Sequence, residues 1–176
     1  VSPKLISLVS SYMQKGFNQY APMQGALPLR NVVSRSFMAN HGHSYNPVSE
    51  ITITSGATQA IYVAITTVVQ PGNEVIVVEP AFDMYHPAIA MLGGVSVPIK
   101  LKGPDYKIDW QEFQSLINEK TAMVIINTPH NPTSAIFDRA DMLKLQEVTA
   151  GTNIVVVSDE VYEHIIFDGE QHESVA

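Results

Sequence analysis

The sequence has no cysteine among its 176 residues, which excludes disulfide bonds, thiolate metal sites and a cysteine nucleophile. Basic residues are also scarce, because ten Lys and Arg stand against seventeen Asp and Glu, for a net charge of −7. This balance disfavours nucleic acid or an anionic membrane as the main partner. No apolar stretch approaches the roughly 20 residues of a membrane-spanning helix, and no apolar segment typical of a signal peptide follows Val1.

Apolar residues make up 45% of the sequence and charged residues 15%, which is typical of a soluble globular protein. A chain of this length can form one domain with a true core, and no linker, repeat or low-complexity segment divides it. We therefore expect residues 1–176 to form a single domain. Because the first residue is Val1 and not Met, we also expect the chain to begin inside a longer protein.

Helical and strand patterns alternate through most of the chain. Two amphipathic helices are predicted first, over residues 5–13 and from Gly25 onward. The predicted strands are 50–54, 74–78, 95–99, 122–126 and 154–158. The helices predicted between them are the apolar run that ends at Val69, residues 84–92, a helix opened by Asp109, and residues 138–148. This alternation indicates an α/β fold with a three-layer, doubly wound and mostly parallel sheet.

The last predicted strand carries the most informative residues. Three consecutive valines lead to Asp159, and Tyr162 follows three residues later. The valines predict a strand buried on both faces of a parallel sheet. Ligands of open α/β sheets bind at the carboxyl ends of strands, so a carboxylate there can face a buried cation and a phenol can point at the same ligand. The alternative is that Asp159 only caps the next turn.

Two other junctions between a strand and a helix carry residues suited to a flat, anionic ligand. The stretch Ser55-Gly56-Ala57-Thr58 opens a helix, where N–H groups and the helix dipole favour an anion such as phosphate. Phe82, just past a strand, can lie flat against a planar ring. A plain tight turn and ordinary core packing are the respective alternatives.

A further junction, residues 127–133, carries the amides of Asn127 and Asn131 between prolines that stiffen the loop. Turn chemistry alone also favours these residues. Parallel strands bring all of these junctions to one edge of the sheet. An anion-binding turn, an aromatic face, an amide, a carboxylate and a phenol around one crevice fit a phosphorylated, planar and cationic ring. Pyridoxal phosphate (PLP) is such a molecule, and an Asp partner for its ring nitrogen belongs to its known chemistry.

The residues at these junctions resemble those of class I/II aminotransferases of PLP fold type I. The resemblance rests on Ser-Gly-Ala-Thr-Gln-Ala at residues 55–60, Asn-Thr-Pro-His-Asn-Pro-Thr at 127–133 and Ser-Asp-Glu-Val-Tyr-Glu-His at 158–164. With Asn-Gln-Tyr-Ala-Pro at 18–22, the chain is most similar to the branch of methionine and kynurenine/glutamine aminotransferases. Nearly the whole sequence is covered, in matching order and spacing.

The resemblance implies a role in binding the PLP ring for four side chains. Asp159 would pair with the ring nitrogen and keep it protonated. Tyr162 and Asn131 would hydrogen-bond the phenolic oxygen of the ring. Phe82 would stack on the ring face.

The phosphate of PLP would be held by a separate set of residues. Gly56, Ala57 and Thr58 would bind it mainly through backbone N–H groups. Tyr20 would reach the phosphate of the cofactor in the neighbouring subunit, because the site of this family lies at a dimer interface. The resemblance thus implies a homodimer.

The resemblance also implies residues that this chain does not contain. The Schiff-base lysine of the family follows the Asp–Tyr segment, so we expect it beyond Ala176, and no lysine here matches its motif. The arginine for the substrate carboxylate would lie later still, in a small C-terminal domain. Ser134 stands where the family often has Gly. We therefore interpret the chain as most of the PLP-binding large domain, with an incomplete sheet and no activity of its own.

The function implied by the resemblance is transfer of an amino group from an L-amino acid to a 2-oxo acid by a cytoplasmic, PLP-dependent enzyme. The resemblance implies methionine, an aromatic amino acid or glutamine as the donor, and Phe82 with Met84 and Tyr85 nearby would suit a sulfur-containing or aromatic side chain. The alternatives are a PLP-dependent C–S β-lyase with the same motifs and a non-catalytic PLP-binding module. A dinucleotide-binding domain is disfavoured, since no Gly-x-Gly-x-x-Gly motif follows the first strand. His130 is predicted to be structural, and no metal site is expected.

Overall fold

The N-terminal part of the chain consists of helices and irregular segments. In this computed structural model, which describes residues 1–176, the internal contacts separate the units Val1–Thr54 and Ser55–Ala176. The first unit contains α1 (Pro3–Gln14) and α2 (Leu27–His41), each with a proline in its first turn. Both predicted helices are confirmed, although α2 begins slightly later than predicted.

The strand predicted over residues 50–54 is wrong. Its alternating Ile-Thr-Ile-Thr pattern marks side chains that can face inward, but a strand also needs a neighbouring strand for its backbone groups. No strand lies beside it, and the N–H of Ile53 donates instead to the carbonyl of Gln24 at 2.9 Å. Gly25 permits this close approach, because its φ is +92° and a Cβ there would lie 2.6 Å from the Ile53 side chain.

A four-stranded parallel sheet forms the centre of the second unit. Its strands are β1 (Glu74–Glu79), β2 (Val95–Lys100), β3 (Thr121–Asn127) and β4 (Val155–Asp159). They lie in the order β2-β1-β3-β4, and every neighbouring pair is parallel. The chain steps from β1 to β2 on one side and then returns to β3 on the other, so the winding reverses at β1. Ligands of such sheets bind at this reversal, outside the carboxyl ends of the strands.

Helices cover both faces of this sheet. One face carries α3 (Ala57–Val68) and α4 (Tyr85–Met91), and the other carries α5 (Trp110–Leu116) and α6 (Arg139–Thr149). The predicted three-layer, doubly wound parallel sheet is therefore confirmed. None of the helices combines the length and the apolar character needed to span a lipid bilayer.

Two hydrophobic cores result, one on each face of the sheet. Successive residues of β1 alternate between them, with Val75 and Val77 in the core under α3 and α4, and Ile76 and Val78 in the core under α5 and α6. Side chains of a strand point to opposite faces in turn, so an unbroken apolar run is what a strand between two helical layers requires.

The last strand, β4, is less buried than its valines predict. Val155 is 40% exposed, and Val156 and Val157 are only partly buried. The reason is position, because β4 lies at an edge of the sheet with β3 as its only neighbour. A run of β-branched residues indicates a strand, but it does not report how many neighbours that strand has.

The aspartates predicted to open α5 and α6 do so. The side chain of Asp109 accepts hydrogen bonds from the N–H groups of Gln111 and Glu112 at the start of α5. At the start of α6, Asp138 and Asp141 form a reciprocal capping box, in which the carboxylate of each accepts from the backbone N–H of the other. These caps fix where both helices begin.

Candidate functional site

The carboxylate of Asp159, at the carboxyl end of β4, is held on both oxygens by neutral donors. The phenol of Tyr85 donates to Oδ2 at 2.7 Å, and the backbone N–H of Val161 donates to Oδ1 at 3.2 Å. No lysine, arginine or histidine forms an ion pair with this carboxylate. A partly buried carboxylate in a fixed orientation and without a cationic partner is suited to a cationic ligand.

The backbone of Asp159 is fixed by the neighbouring strand. Asn127, the buried last residue of β3, donates from Nδ2 to the carbonyl of Asp159 at 2.8 Å, and the N–H of Thr128 donates to the same carbonyl at 3.1 Å. The Oδ1 atom of Asn127 accepts from the backbone N–H of Asn131 at 2.7 Å. A single buried amide therefore joins the end of β4 to the loop that carries Asn131.

Tyr85, the first residue of α4, lies under this strand edge. It is 2% exposed and belongs to the core under α3 and α4. Burial, and then the hydrogen bond to Asp159, raise the pKa of the Tyr85 phenol far above its ordinary value, so the phenol keeps its proton. Its ring also meets the ring of Phe82 edge-on, with centroids 5.8 Å apart and an interplanar angle of 76°. Tyr85 thereby contacts two residues predicted to bind the ring.

His130 connects the loop after β3 to the segment after β1. Its Nδ1 lies 2.7 Å from Oγ1 of Thr133, and the ring also hydrogen-bonds the backbone of Pro80. Burial lowers the pKa of the imidazole, which favours the neutral form. His130 is 3% exposed, and its structural role stays a prediction.

Tyr162 and Asn131 share one cavity. Its volume is about 550 Å³, and its wall includes both of these side chains together with the apolar side chains of Ile136 and Ile165. The phenol of Tyr162 also lies near enough to Tyr85 to contribute electrostatically, after burial and Asp159, to the raised pKa of Tyr85. Tyr162 is therefore close to the Asp159 network as well as to the cavity.

The predicted phosphate-binding turn forms the start of α3. Gly56 caps this helix with a φ of +86°, and a Cβ at this position would meet no atom within 4 Å. Ala57 and Thr58 follow in the first turn and are exposed, where backbone N–H groups have no partner inside the helix. α3 packs against α4 and β4. The phosphate-binding role of these residues stays a prediction.

Tyr20, predicted to reach the cofactor of a second subunit, belongs to the first unit. It lies in the irregular segment between α1 and α2 and is fully exposed. Its role also stays a prediction.

Sequence reasoning missed the position of Tyr85. It was expected to line a substrate pocket beside Met84, but its burial excludes contact with a substrate side chain. The signal available in the sequence was chemical: a tyrosine on the apolar face of a helix must find a partner for its hydroxyl group. The identity of that partner, 74 residues away in the chain, required the tertiary structure.

Nearly the whole chain is similar to known aminotransferases. The family model described as aminotransferase class I and II matches residues 3–176. Methionine aminotransferase of Escherichia coli K12 is 44% identical over 167 residues, which cover 95% of this chain and 43% of that protein. A probable N-succinyldiaminopimelate aminotransferase of Mycobacterium tuberculosis is 37% identical over 172 residues, 97% of this chain and 43% of that protein.

Solved structures agree with these similarities. The crystal structure of YbdL from Escherichia coli, described as having a methionine aminotransferase function, has a TM-score of 0.96 at 43% identity, over 99% of this chain and 46% of that one. The aromatic aminotransferase of Pyrococcus horikoshii has a TM-score of 0.93 at 31% identity, over 99% of this chain and 47% of that one. The chain thus spans less than half the length of the relatives it matches.

Proposed function

We propose, on the premise that the chain belongs to the family of class I and II aminotransferases, that the complete protein transfers amino groups from an L-amino acid to a 2-oxo acid with PLP as its cofactor. Residues 1–176 would contribute most of the cofactor-binding domain. The Schiff-base lysine and the arginine for the substrate carboxylate would come from residues beyond Ala176. The chain by itself would therefore be inactive.

The observation that carries this proposal is the state of Asp159. Its carboxylate lies at the carboxyl end of a parallel strand, both oxygens are oriented by neutral donors, and no cation of the chain neutralises it. A protonated pyridine nitrogen is a cation that can complete this arrangement. The chemistry of the donors around Asp159 therefore fits PLP.

The other residues of the site fit the remaining parts of PLP. Phe82 offers an aromatic face whose edge contact with Tyr85 fixes its tilt. Asn131 and Tyr162, on the wall of one cavity, offer an amide and a phenol for the ring oxygen. The first turn of α3 offers N–H groups to the phosphate, and the space beside Gly56 is open, with no atom within 4 Å of where a Cβ would lie.

These residues have defined tasks in the proposed reaction. PLP, when bound, supplies an electron sink for the negative charge that develops at the substrate Cα. Asp159 holds a proton at the ring nitrogen, because its negative charge favours the protonated form. Asn131 and Tyr162 orient the ring through its oxygen, and Phe82 covers one face and excludes water from it.

Methionine is the first amino donor to test, because the methionine aminotransferase of Escherichia coli K12 is 44% identical to this chain. The relatives also include enzymes named for kynurenine and for aromatic amino acids, so the panel should contain these donors and glutamine. We further propose that the enzyme is a homodimer, in which Tyr20 of one subunit contacts the phosphate of the cofactor bound to the other.

The test is an amino-transfer assay on the full-length protein with PLP. Each donor is paired with a panel of 2-oxo acids, and both products are measured. We expect the new amino acid and the new 2-oxo acid to form in equal amounts. If none of the pairs of donor and 2-oxo acid supported amino transfer, the proposal would be refuted. Release of a thiol, ammonia and pyruvate from a β-thioether amino acid, with no 2-oxo acid added as acceptor, would indicate a C–S β-lyase instead.

A further inference from the structure

The hydroxyl group of Tyr85 occupies an unusual place for a core residue. The ring lies among residues such as Val75, Ile89 and Ile125, yet the O–H reaches the edge of the sheet and donates to Oδ2 of Asp159. A buried phenol needs a hydrogen-bond partner, and a backbone carbonyl would satisfy this need as well as a carboxylate. The partner of Tyr85 is the carboxylate of Asp159, on which the proposed cofactor site depends.

The bond leaves the charge of Asp159 intact. A lysine or arginine in the same place would orient the carboxylate equally well, but it would also neutralise the charge that a pyridine nitrogen requires. A neutral phenol orients the carboxylate without neutralising its charge. With the Val161 N–H on Oδ1 and the Tyr85 O–H on Oδ2, rotation of the carboxylate is blocked while lone pairs remain for a ligand.

The same side chain also fixes Phe82. The two rings form an edge-to-face contact, which favours one tilt of the Phe82 ring relative to Tyr85. Tyr85 is thus in direct contact with the residue proposed to hold the ring nitrogen and with the residue proposed to cover the ring face.

We propose that Tyr85 is a positioning residue of the cofactor site, which orients the Asp159 carboxylate by a neutral hydrogen bond and aligns Phe82 with it. This inference rests on the proposed function and adds a residue to it. Tyr85 itself would not touch the cofactor, because the core encloses it.

The experiment measures PLP affinity of the full-length protein, freed of cofactor, by the absorbance and fluorescence changes on binding. Tyr85→Phe removes the donor and keeps the ring. We expect its dissociation constant for PLP to rise about tenfold, the scale seen when a group that orients a ligating side chain is removed. We also expect the cofactor-free variant to melt close to the wild-type temperature, because water can replace the phenol at the partly exposed Asp159.

A double-mutant cycle separates positioning from packing. If Tyr85 acts through Asp159, Tyr85→Phe should weaken PLP binding in the wild-type background and have little further effect in Asp159→Asn. If the role of Tyr85 were purely structural, Tyr85→Phe would weaken PLP binding by the same factor in the wild-type and Asp159→Asn proteins. Tyr106→Phe, which changes a partly exposed tyrosine in the turn before α5, is the matched control and should leave PLP affinity unchanged.

A second variant protects the test against a loss of folding. Tyr85→Met also lacks the donor but fills the core with a flexible side chain. It should bind PLP more weakly than Tyr85→Phe, because it loses the contact with Phe82 as well.

Wild-type affinity in Tyr85→Phe would overturn the inference and leave the proposed function intact. Absence of PLP binding to the wild-type protein would overturn both.

Discussion

Two aspartate networks of the second unit differ in the charge of their partners. At the start of α6, Asp141 accepts from the indole of Trp110 at 2.9 Å and from the backbone of Asp138, and Lys107 lies 3.6 Å away. At the end of β4, Asp159 has only neutral donors. The first network is complete within the chain, whereas the second still lacks a counter-charge.

We interpret this difference as that between a structural carboxylate, Asp141, and one proposed to bind a ligand, Asp159. Burying a charge costs free energy, and a chain that needs a carboxylate only for its fold supplies a cation or caps a helix with it, as α6 does. The Asp159 network supplies orientation but no counter-charge. Four expected results test this distinction, in order of decreasing effect.

Replacing the proposed ligand-binding carboxylate should have the largest effect. Asp159→Asn keeps the shape and the hydrogen bonds to the backbone but removes the negative charge. We expect turnover of the full-length enzyme to fall by at least about a hundredfold, comparable to the loss of a major electrostatic contact in catalysis, with an unchanged circular dichroism spectrum. Wild-type turnover would remove Asp159 from the chemistry.

Replacing the structural carboxylate should reverse this pattern. Asp141→Ala removes half of the capping box and leaves the Trp110 indole N–H without its acceptor. We expect a loss of about 2–3 kcal/mol in the free energy of unfolding, measured by urea denaturation, and unchanged turnover in the folded enzyme. Asp105→Ala, at an exposed aspartate, is the control. A large loss of turnover in Asp141→Ala would erase the distinction between the two networks.

Replacing Tyr162 should have a smaller effect on activity. Tyr162→Phe removes a proposed hydrogen bond to the ring oxygen while the ring stays in place. We expect about a tenfold loss of turnover, the equivalent of one such bond, and a displaced pH titration of the absorbance of bound PLP. An identical titration in both proteins would contradict the role of Tyr162.

The smallest effect concerns acid stability at the cap of α6. The backbone hydrogen bond from Asp141, and then Lys107, lower the pKa of Asp138 below its ordinary 3.8. Stability from this group is therefore present above about pH 4 and is lost as the pH falls through the lower folded-state pKa. Asp138→Ser keeps a neutral cap.

Between pH 5 and pH 2, urea midpoints of the wild-type protein should thus fall more steeply than those of Asp138→Ser. Equal slopes would show that the charge of Asp138 contributes nothing to the network.

Sequence reasoning succeeded where a local pattern has one physical meaning. Unbroken apolar runs such as residues 75–78, separated by capped helices, indicate a parallel sheet between two helical layers, and this architecture is confirmed. It failed at residues 50–54 and in the burial of β4, for the same reason in both cases. Whether a strand has neighbours depends on segments far away in the chain, which a local pattern does not report.

The residues of the predicted site show the same contrast between what a local pattern reveals and what depends on distant segments. Asp159, Tyr162, Phe82 and Asn131 could be named as candidates because chemistry-bearing residues at strand ends are conspicuous. Tyr85 could not be named, because its sequence neighbours are those of any core residue. The contact that distinguishes it, the hydrogen bond from Tyr85 to Asp159, joins the start of α4 to the end of β4 and arises only in the folded chain.

The order of residues alone determined the layered architecture, the positions of the helix caps and the set of side chains near the strand ends, because propensity, periodicity and capping act over a few residues. Only the tertiary structure decided which donors reach Asp159 and that no cation does. Hydrogen bonds and counter-charges depend on distances of about 3 Å between segments remote in the chain, and folding alone sets those distances.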